Sequence, residues 1–116
     1  MLRRFLKAKI HRATVTQTEL DYVGSLTVDP DLLDKTGILP HEQVDVYNIT
    51  SGSRFTTYVI VGERGKGEMC VNGAAAHHAE VGDRIIVVTY CDLAEDEIAN
   101  HNPVVLLVDD NNRPLS

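Results

Sequence analysis

Cysteine, cationic residues and long apolar runs are all scarce in this chain, and each shortage closes off a class of function. Its 116 residues include two cysteines, Cys70 and Cys91. Both lie in strand-like apolar surroundings and read as reduced, buried and chemically inert, with a disulfide as the alternative. Lysine and arginine total 11 against 17 acids, a net charge of −6. A nucleic-acid-binding face is basic and clustered. Here the acids gather between Asp92 and Glu97 and at Asp109-Asp110, the pattern of a solvated face, so no nucleic-acid partner is expected. The longest apolar runs, residues 85–88 and 104–108, are far too short to span a membrane. Met1 to Lys7 carries three cations, yet no apolar stretch or small-residue cleavage site follows. That rejects a signal peptide and leaves a cytoplasmic location without a membrane as the expectation. The basic residues Arg3, Arg4, Lys7, Lys9 and Arg12 are a local exception that suits a small anionic substrate.

What the chain does have is short β-rich runs. Apolar residues make up 43% of it, enough for the core of one domain over residues 1–116. Segments 5–11, 13–20, 26–29, 44–50, 55–61, 68–71, 84–90 and 104–108 read as strands, with β-branched and aromatic enrichment and turn signals between them. Two short helices interrupt the strands. Asp29 can cap a helix opening at Pro30, with Leu32 and Leu33 on its apolar side and Gly37 ending it. A second starts at Asp92, where Glu95 gives a capping-box spacing. Many short strands with two small helices favour a mainly β fold, a closed barrel or a sandwich.

The pair Gly24-Ser25 lies between two strand-like runs, in Tyr22-Val23-Gly24-Ser25. Further pieces stand in order around it: Lys9-Ile10-His11-Arg12, Asp34-Lys35-Thr36-Gly37-Ile38-Leu39, Gly52-Ser53-Arg54-Phe55-Thr56-Thr57-Tyr58, and Val71-Asn72-Gly73-Ala74-Ala75-Ala76-His77. In this order the pieces resemble the pyruvoyl-dependent aspartate decarboxylases over almost the whole chain. The resemblance implies a six-stranded double-psi β-barrel with short helices, assembled as a homotetramer with active sites at subunit interfaces. It implies self-cleavage before Ser25 into chains 1–24 and 25–116, with Ser25 becoming a pyruvoyl group. No metal and no pyridoxal phosphate are then needed. It further implies conversion of L-aspartate to β-alanine and carbon dioxide through a Schiff base, for pantothenate and coenzyme A synthesis.

Each residue so implied has a chemical reason. Ser25 attacks the Gly24 carbonyl, and a hydroxyl needs activation for that. A glycine at 24 leaves the carbonyl open and tolerates strained dihedrals. Thr57 and Asn72 offer a hydroxyl and a carboxamide to the oxyanion. Tyr58 is the implied proton donor; a phenol is a weak acid at neutral pH, so the site must hold it close. Arg54 suits a carboxylate through two parallel hydrogen bonds, and Lys9 supplies a second cation. Gly73, Ala74 and Ala75 let the backbone approach substrate. Outside the resemblance these same residues read as a Gly-Ser turn, strand residues, surface charges and a tight turn.

One conflict arises. Strand alternation puts Arg54, Thr56 and Tyr58 on one face and Thr57 on the other. A bulge would reconcile them, as would a site shared between subunits. His11 matches a residue of the resemblance and supports the site or is an ordinary strand position. His77-His78 lacks metal-ligand spacing, so no metal is expected. A non-enzymatic binding module and a decarboxylase of glutamate or another acidic amino acid are the competing functions.

Overall fold

Eight strands form, and alternation along them sets which side chains face the core. They are β1 (Leu2–Thr14), β2 (Gln17–Glu19), β3 (Ser25–Val28), β4 (Gln43–Asn48), β5 (Arg54–Val61), β6 (Met69–Asn72), β7 (Arg84–Ala94) and β8 (Val104–Leu107). They pair in the order β2-β6-β3-β5-β4-β7-β1-β8, with parallel and antiparallel neighbours mixed. Two α-helices, α1 (Pro30–Thr36) and α2 (Glu95–Ile98), and a 3-10 helix (Gly73–His78) complete the chain. The structure is a computed structural model that describes residues 1–115. The protein is mainly β with short helices, as the strand pattern implies.

The core is built from one residue in two. In β4 Val44 and Val46 face inward, in β7 Ile85 and Val87, and in β3 Leu26 and Val28, all buried. Ile10 of β1, Val59 of β5, and Met69 and Val71 of β6 join the same cluster, with Leu32, Leu33 and Ile38 closing it from α1. Full burial of such side chains stabilises by about 1.5–3 kcal/mol each. No helix among the described residues is long and apolar enough to cross a membrane.

Three boundaries differ from the sequence expectation. The break expected at Arg12 is a register shift inside one long strand: Arg12 takes a φ of 67° between Ile10 and Ala13, and β1 runs on. The strand expected over 13–20 splits, with only Gln17–Glu19 pairing to β6. The second helix begins at Glu95 rather than Asp92, because Asp92 remains in β7 opposite Arg4 and pairs with its Nε at 3.1 Å. The Ala94 N–H donates to Glu97 Oε1 at 2.8 Å, so half of a capping box survives, three residues from Ala94.

The first helix follows the sequence closely. Asp29 Oδ1 accepts from the Asp31 N–H at 2.9 Å, and Gly37, at φ 75°, donates back to the Leu33 carbonyl at 2.8 Å. Asp29 also takes the Gly65 and Gly67 N–H groups at 3.2 and 2.7 Å. Burial pushes its carboxyl up, but the three backbone donors outweigh that and hold it below the usual carboxylate value. One side chain thereby caps α1 and fastens the 62–67 loop to the start of that helix.

Candidate active site

Ser25 opens β3 at the end of a surface loop in which Leu20, Tyr22 and Val23 are exposed. Ser25 itself is fully buried and takes a φ of 137°. Such a dihedral is rare for a residue with a side chain and stores about 1–3 kcal/mol. Gly24 does not share it: its φ is not positive, so the strain sits on the serine side of the Gly24-Ser25 bond.

The ladder between β3 and β6 sets the chemistry around it. Ser25 lies opposite Asn72 and Thr27 opposite Cys70, so alternation gathers four small polar side chains on one face. Leu26, Val28, Met69 and Val71 fill the other face as core. Asn72 is wholly buried; its Nδ2 donates to Thr27 Oγ1 at 2.8 Å and to Ser25 Oγ at 3.2 Å. Its Oδ1 accepts from the Cys70 thiol at 3.0 Å. Burial pushes that thiol up to about 11, with Glu68 and Glu19 adding to the shift, so it stays a neutral donor.

Ser25 borders a cavity of about 240 Å³ with Gly24, Thr57, Asn72, Ala74 and Ala75. Six residues expected from the sequence therefore meet in one place. Phe55 and His78 form one wall, their rings stacked at 5.6 Å, and Ser53 Oγ lies 3.1 Å from His78 Nδ1. Volume does not single the cavity out, since a depression of about 530 Å³ lies beside it against Ser51, His77 and Glu80. The buried, strained Ser25 on its wall does. Gly73 permits a close approach here: at φ 65° it packs on the loop backbone, and a Cβ there would sit 2.5 Å from Gly24 Cα.

The other expected residues face away. β5 pairs with β4 without a shift from Gln43 opposite Tyr58 to Tyr47 opposite Arg54. Phe55, Thr56 and Thr57 border the Ser25 cavity; Arg54 and Tyr58 do not, and a regular strand turns them, with the Thr56 hydroxyl that donates to Asp45 Oδ1 at 2.7 Å, to the opposite, exposed side. No bulge reconciles them. Lys9 lies on β1, separated from β5 by β4 and β7 in the same sheet, opposite Val88, which in turn faces Asp45. Arg54 stacks on the Tyr47 ring at 4.3 Å, and the Tyr47 and Tyr90 hydroxyls share a hydrogen bond of 2.8 Å. That bond, with burial and the neighbouring phenol, pushes Tyr47 up to about 12. Among the described residues neither Lys9 nor Arg54 has a carboxylate partner. His11 Nδ1 is buried without a partner; burial first, then Lys9 and Arg12, lowers its pKa and keeps the ring neutral at pH 7.

Relatives decide the family. A family model described as aspartate decarboxylase matches residues 1–115. The chain is 59% identical to the aspartate 1-decarboxylase of Phenylobacterium zucineum, over 97% of this chain and 95% of the relative. It is 57% identical to that of Caulobacter vibrioides over the same shares, and 54% to that of Staphylococcus epidermidis over 97% and 88%. The chain belongs to the aspartate decarboxylase family.

Sequence reasoning missed several parts of this family member's site. Thr27 and Cys70 read only as strand residues, although pairing two runs in register puts both beside Asn72. Tyr47, Tyr90, Phe55 and His78 were assigned no part in a site, because nothing in their spacing says which strands become neighbours. The Gly24 expectation needs a correction as well: it is Ser25 that holds the strained dihedral.

Proposed function

We propose that this chain is a self-processing aspartate 1-decarboxylase that makes β-alanine and carbon dioxide from L-aspartate, for pantothenate and coenzyme A synthesis. The names of the relatives support the reaction. The observation that carries the self-processing is Ser25: buried, at a φ of 137°, with its Oγ held by Asn72.

The chemistry starts with that oxygen. Ser25 Oγ attacks the Gly24 carbonyl carbon; the C–O bond forms, the peptide C–N bond breaks, and the hydroxyl proton passes to the freed amine. The resulting ester loses the Ser25 Cα proton, and the Cβ–Oγ bond breaks with its electron pair on oxygen. Gly24 leaves as a carboxylate. The dehydroalanine at residue 25 takes up water and loses ammonia, leaving a pyruvoyl group. Thr57 and Asn72 fit as donors to the oxyanion, one such donor contributing roughly 3 kcal/mol. Ala74 and Ala75 leave space for a ketone and a substrate. Once formed, that group supplies a carbonyl that condenses with an amine and draws electrons from the carbon losing carbon dioxide.

Arg54 and Lys9 suit the two carboxylates of aspartate, as cations without a partner of their own. Tyr58, 38% exposed, lies on the same face of β5 as Arg54. Because these three face away from the Ser25 cavity of their own chain, a second copy has to bring them to it. That geometry favours sites between subunits of a homotetramer, on the six-stranded double-psi barrel of the sequence resemblance.

Intact mass of the purified chain tests the reading. Fragments ending at Gly24 and starting at residue 25, with the pyruvoyl mass change, are expected, together with release of carbon dioxide from aspartate and not glutamate. The Ser25→Ala chain stays whole and inactive. A wild-type chain that never splits on incubation defeats the reading.

A further inference from the structure

Asn72 is the only contact of Ser25 Oγ among the side-chain hydrogen bonds of the described residues, and the direction of that contact matters. A carboxamide has two N–H donors at one end and a carbonyl oxygen at the other, and partners decide which way it points. Here the nitrogen end meets two oxygens, Thr27 Oγ1 at 2.8 Å and Ser25 Oγ at 3.2 Å. The oxygen end meets one sulfur, Cys70 Sγ at 3.0 Å. Two donors match two oxygens, and a thiol proton matches the carbonyl. Turned over, both N–H groups would face a single sulfur, a weak acceptor, among side chains that are all buried. At least one would lose its partner.

We propose that Thr27 and Cys70 are positioning residues for the chemistry at Ser25, acting through Asn72 by keeping its amide nitrogen turned to the serine oxygen. This rests on the self-processing reading above. With the nitrogen inward, Ser25 Oγ is an acceptor, and its own proton is free to leave as the oxygen attacks Gly24. The same N–H stays on that atom when the Cβ–Oγ bond breaks and the oxygen becomes part of the Gly24 carboxylate. A donor there meets the developing negative charge. With the oxygen inward, Asn72 would instead hold the serine proton and place a lone pair against that charge. Neither Thr27 nor Cys70 hydrogen-bonds to Ser25, so each acts at one remove. Alternation and register supply the arrangement, because Ser25, Thr27, Cys70 and Asn72 are two facing pairs on one side of the β3–β6 ladder.

The test follows cleavage of full-length, uncleaved precursor by intact mass over time. Thr27→Val keeps the shape and removes the oxygen; cleavage is expected to slow about tenfold, the equivalent of about 1.4 kcal/mol in the barrier. Cys70→Ala is expected to slow it several-fold. Thr27→Ser and Cys70→Ser should return the rate to within about twofold of wild type, the second without restoring apolar bulk, which separates positioning from packing. Rates for Thr27→Val and Cys70→Ala equal to wild type overturn the proposal, as does a serine variant as slow as its apolar counterpart. If Thr27→Val does not fold, the Cys70 pair decides alone. Failure of the underlying reading shows differently: the wild-type chain itself stays whole, and the proposal falls with it.

Discussion

Gly73→Ala places one methyl group against the backbone of the proposed cleavage site. The added Cβ would lie 2.5 Å from Gly24 Cα, 2.8 Å from Gly24 N and 2.9 Å from the Tyr22 carbonyl oxygen. All three are main-chain atoms, so no side chain can swing aside. To regain ordinary contact, Gly24 Cα has to retreat by about 0.9 Å, from 2.5 to 3.4 Å. Alanine at φ 65° adds a left-handed penalty of about 1 kcal/mol, and overpacking about 1–3 kcal/mol more. A loss of about 3 kcal/mol lowers Tm by about 10 °C in a domain of this size. Displacement of reacting atoms by about 1 Å can cost about a hundredfold in rate, so cleavage should slow by tenfold or more. The two effects need separate measurements: thermal unfolding in a Ser25→Ala background, where neither chain is cut, and cleavage by intact mass with Ser25 in place. Gly24→Ala is the control for stability, since its Cβ meets nothing within 4 Å and its φ is not positive; its Tm should move little. A Gly73→Ala chain that melts within 2 °C of its parent, by roughly the ΔΔG of an ordinary surface change, and cleaves at the parental rate refutes this account of the loop.

Three further outcomes follow from particular contacts. Ser25→Gly and Ser25→Ala both remove the nucleophile, but only glycine relieves the φ of 137°, so it should be the more stable by about 1 kcal/mol in urea unfolding; equal midpoints would mean that Ser25 is not strained. Asp29→Ala strips a helix cap and two loop N–H groups of their acceptor and should cost about 2–3 kcal/mol. Since the folded Asp29 carboxyl lies below its usual 3.8, its contribution is present above that pH and lost as pH falls through the folded value. Asp29→Asn should therefore flatten stability against pH below about 4, and an unchanged acid slope would discount the clasp. Tyr90→Phe removes the hydroxyl that holds Tyr47 under Arg54; KM for aspartate should rise about two- to fivefold with kcat nearly constant, and a fall in kcat alone would contradict the role given to Arg54.

Local chemistry was readable residue by residue. Asp29, Pro30 and Gly37 announced α1 because a cap, a first-turn proline and a left-handed stop act within a few residues of chain. The second helix was misplaced because Asp92 had a competing partner, Arg4, 88 residues away in sequence. The site divided along the same line. Gly24, Ser25, Thr57, Asn72, Ala74 and Ala75 could be named from motifs, and they do meet in one cavity. Thr27 and Cys70 could not, since their importance comes from lying opposite each other across two strands.

The order of residues along the chain was enough to settle the mainly β character, the inward-facing half of each strand and the split of Thr57 from Tyr58, because a two-residue period is a property of the backbone itself. Which strands lie side by side, which residue carries the strained dihedral, and which way Asn72 turns required the folded molecule. Those depend on register between segments dozens of residues apart, and no local rule encodes a partner that far away.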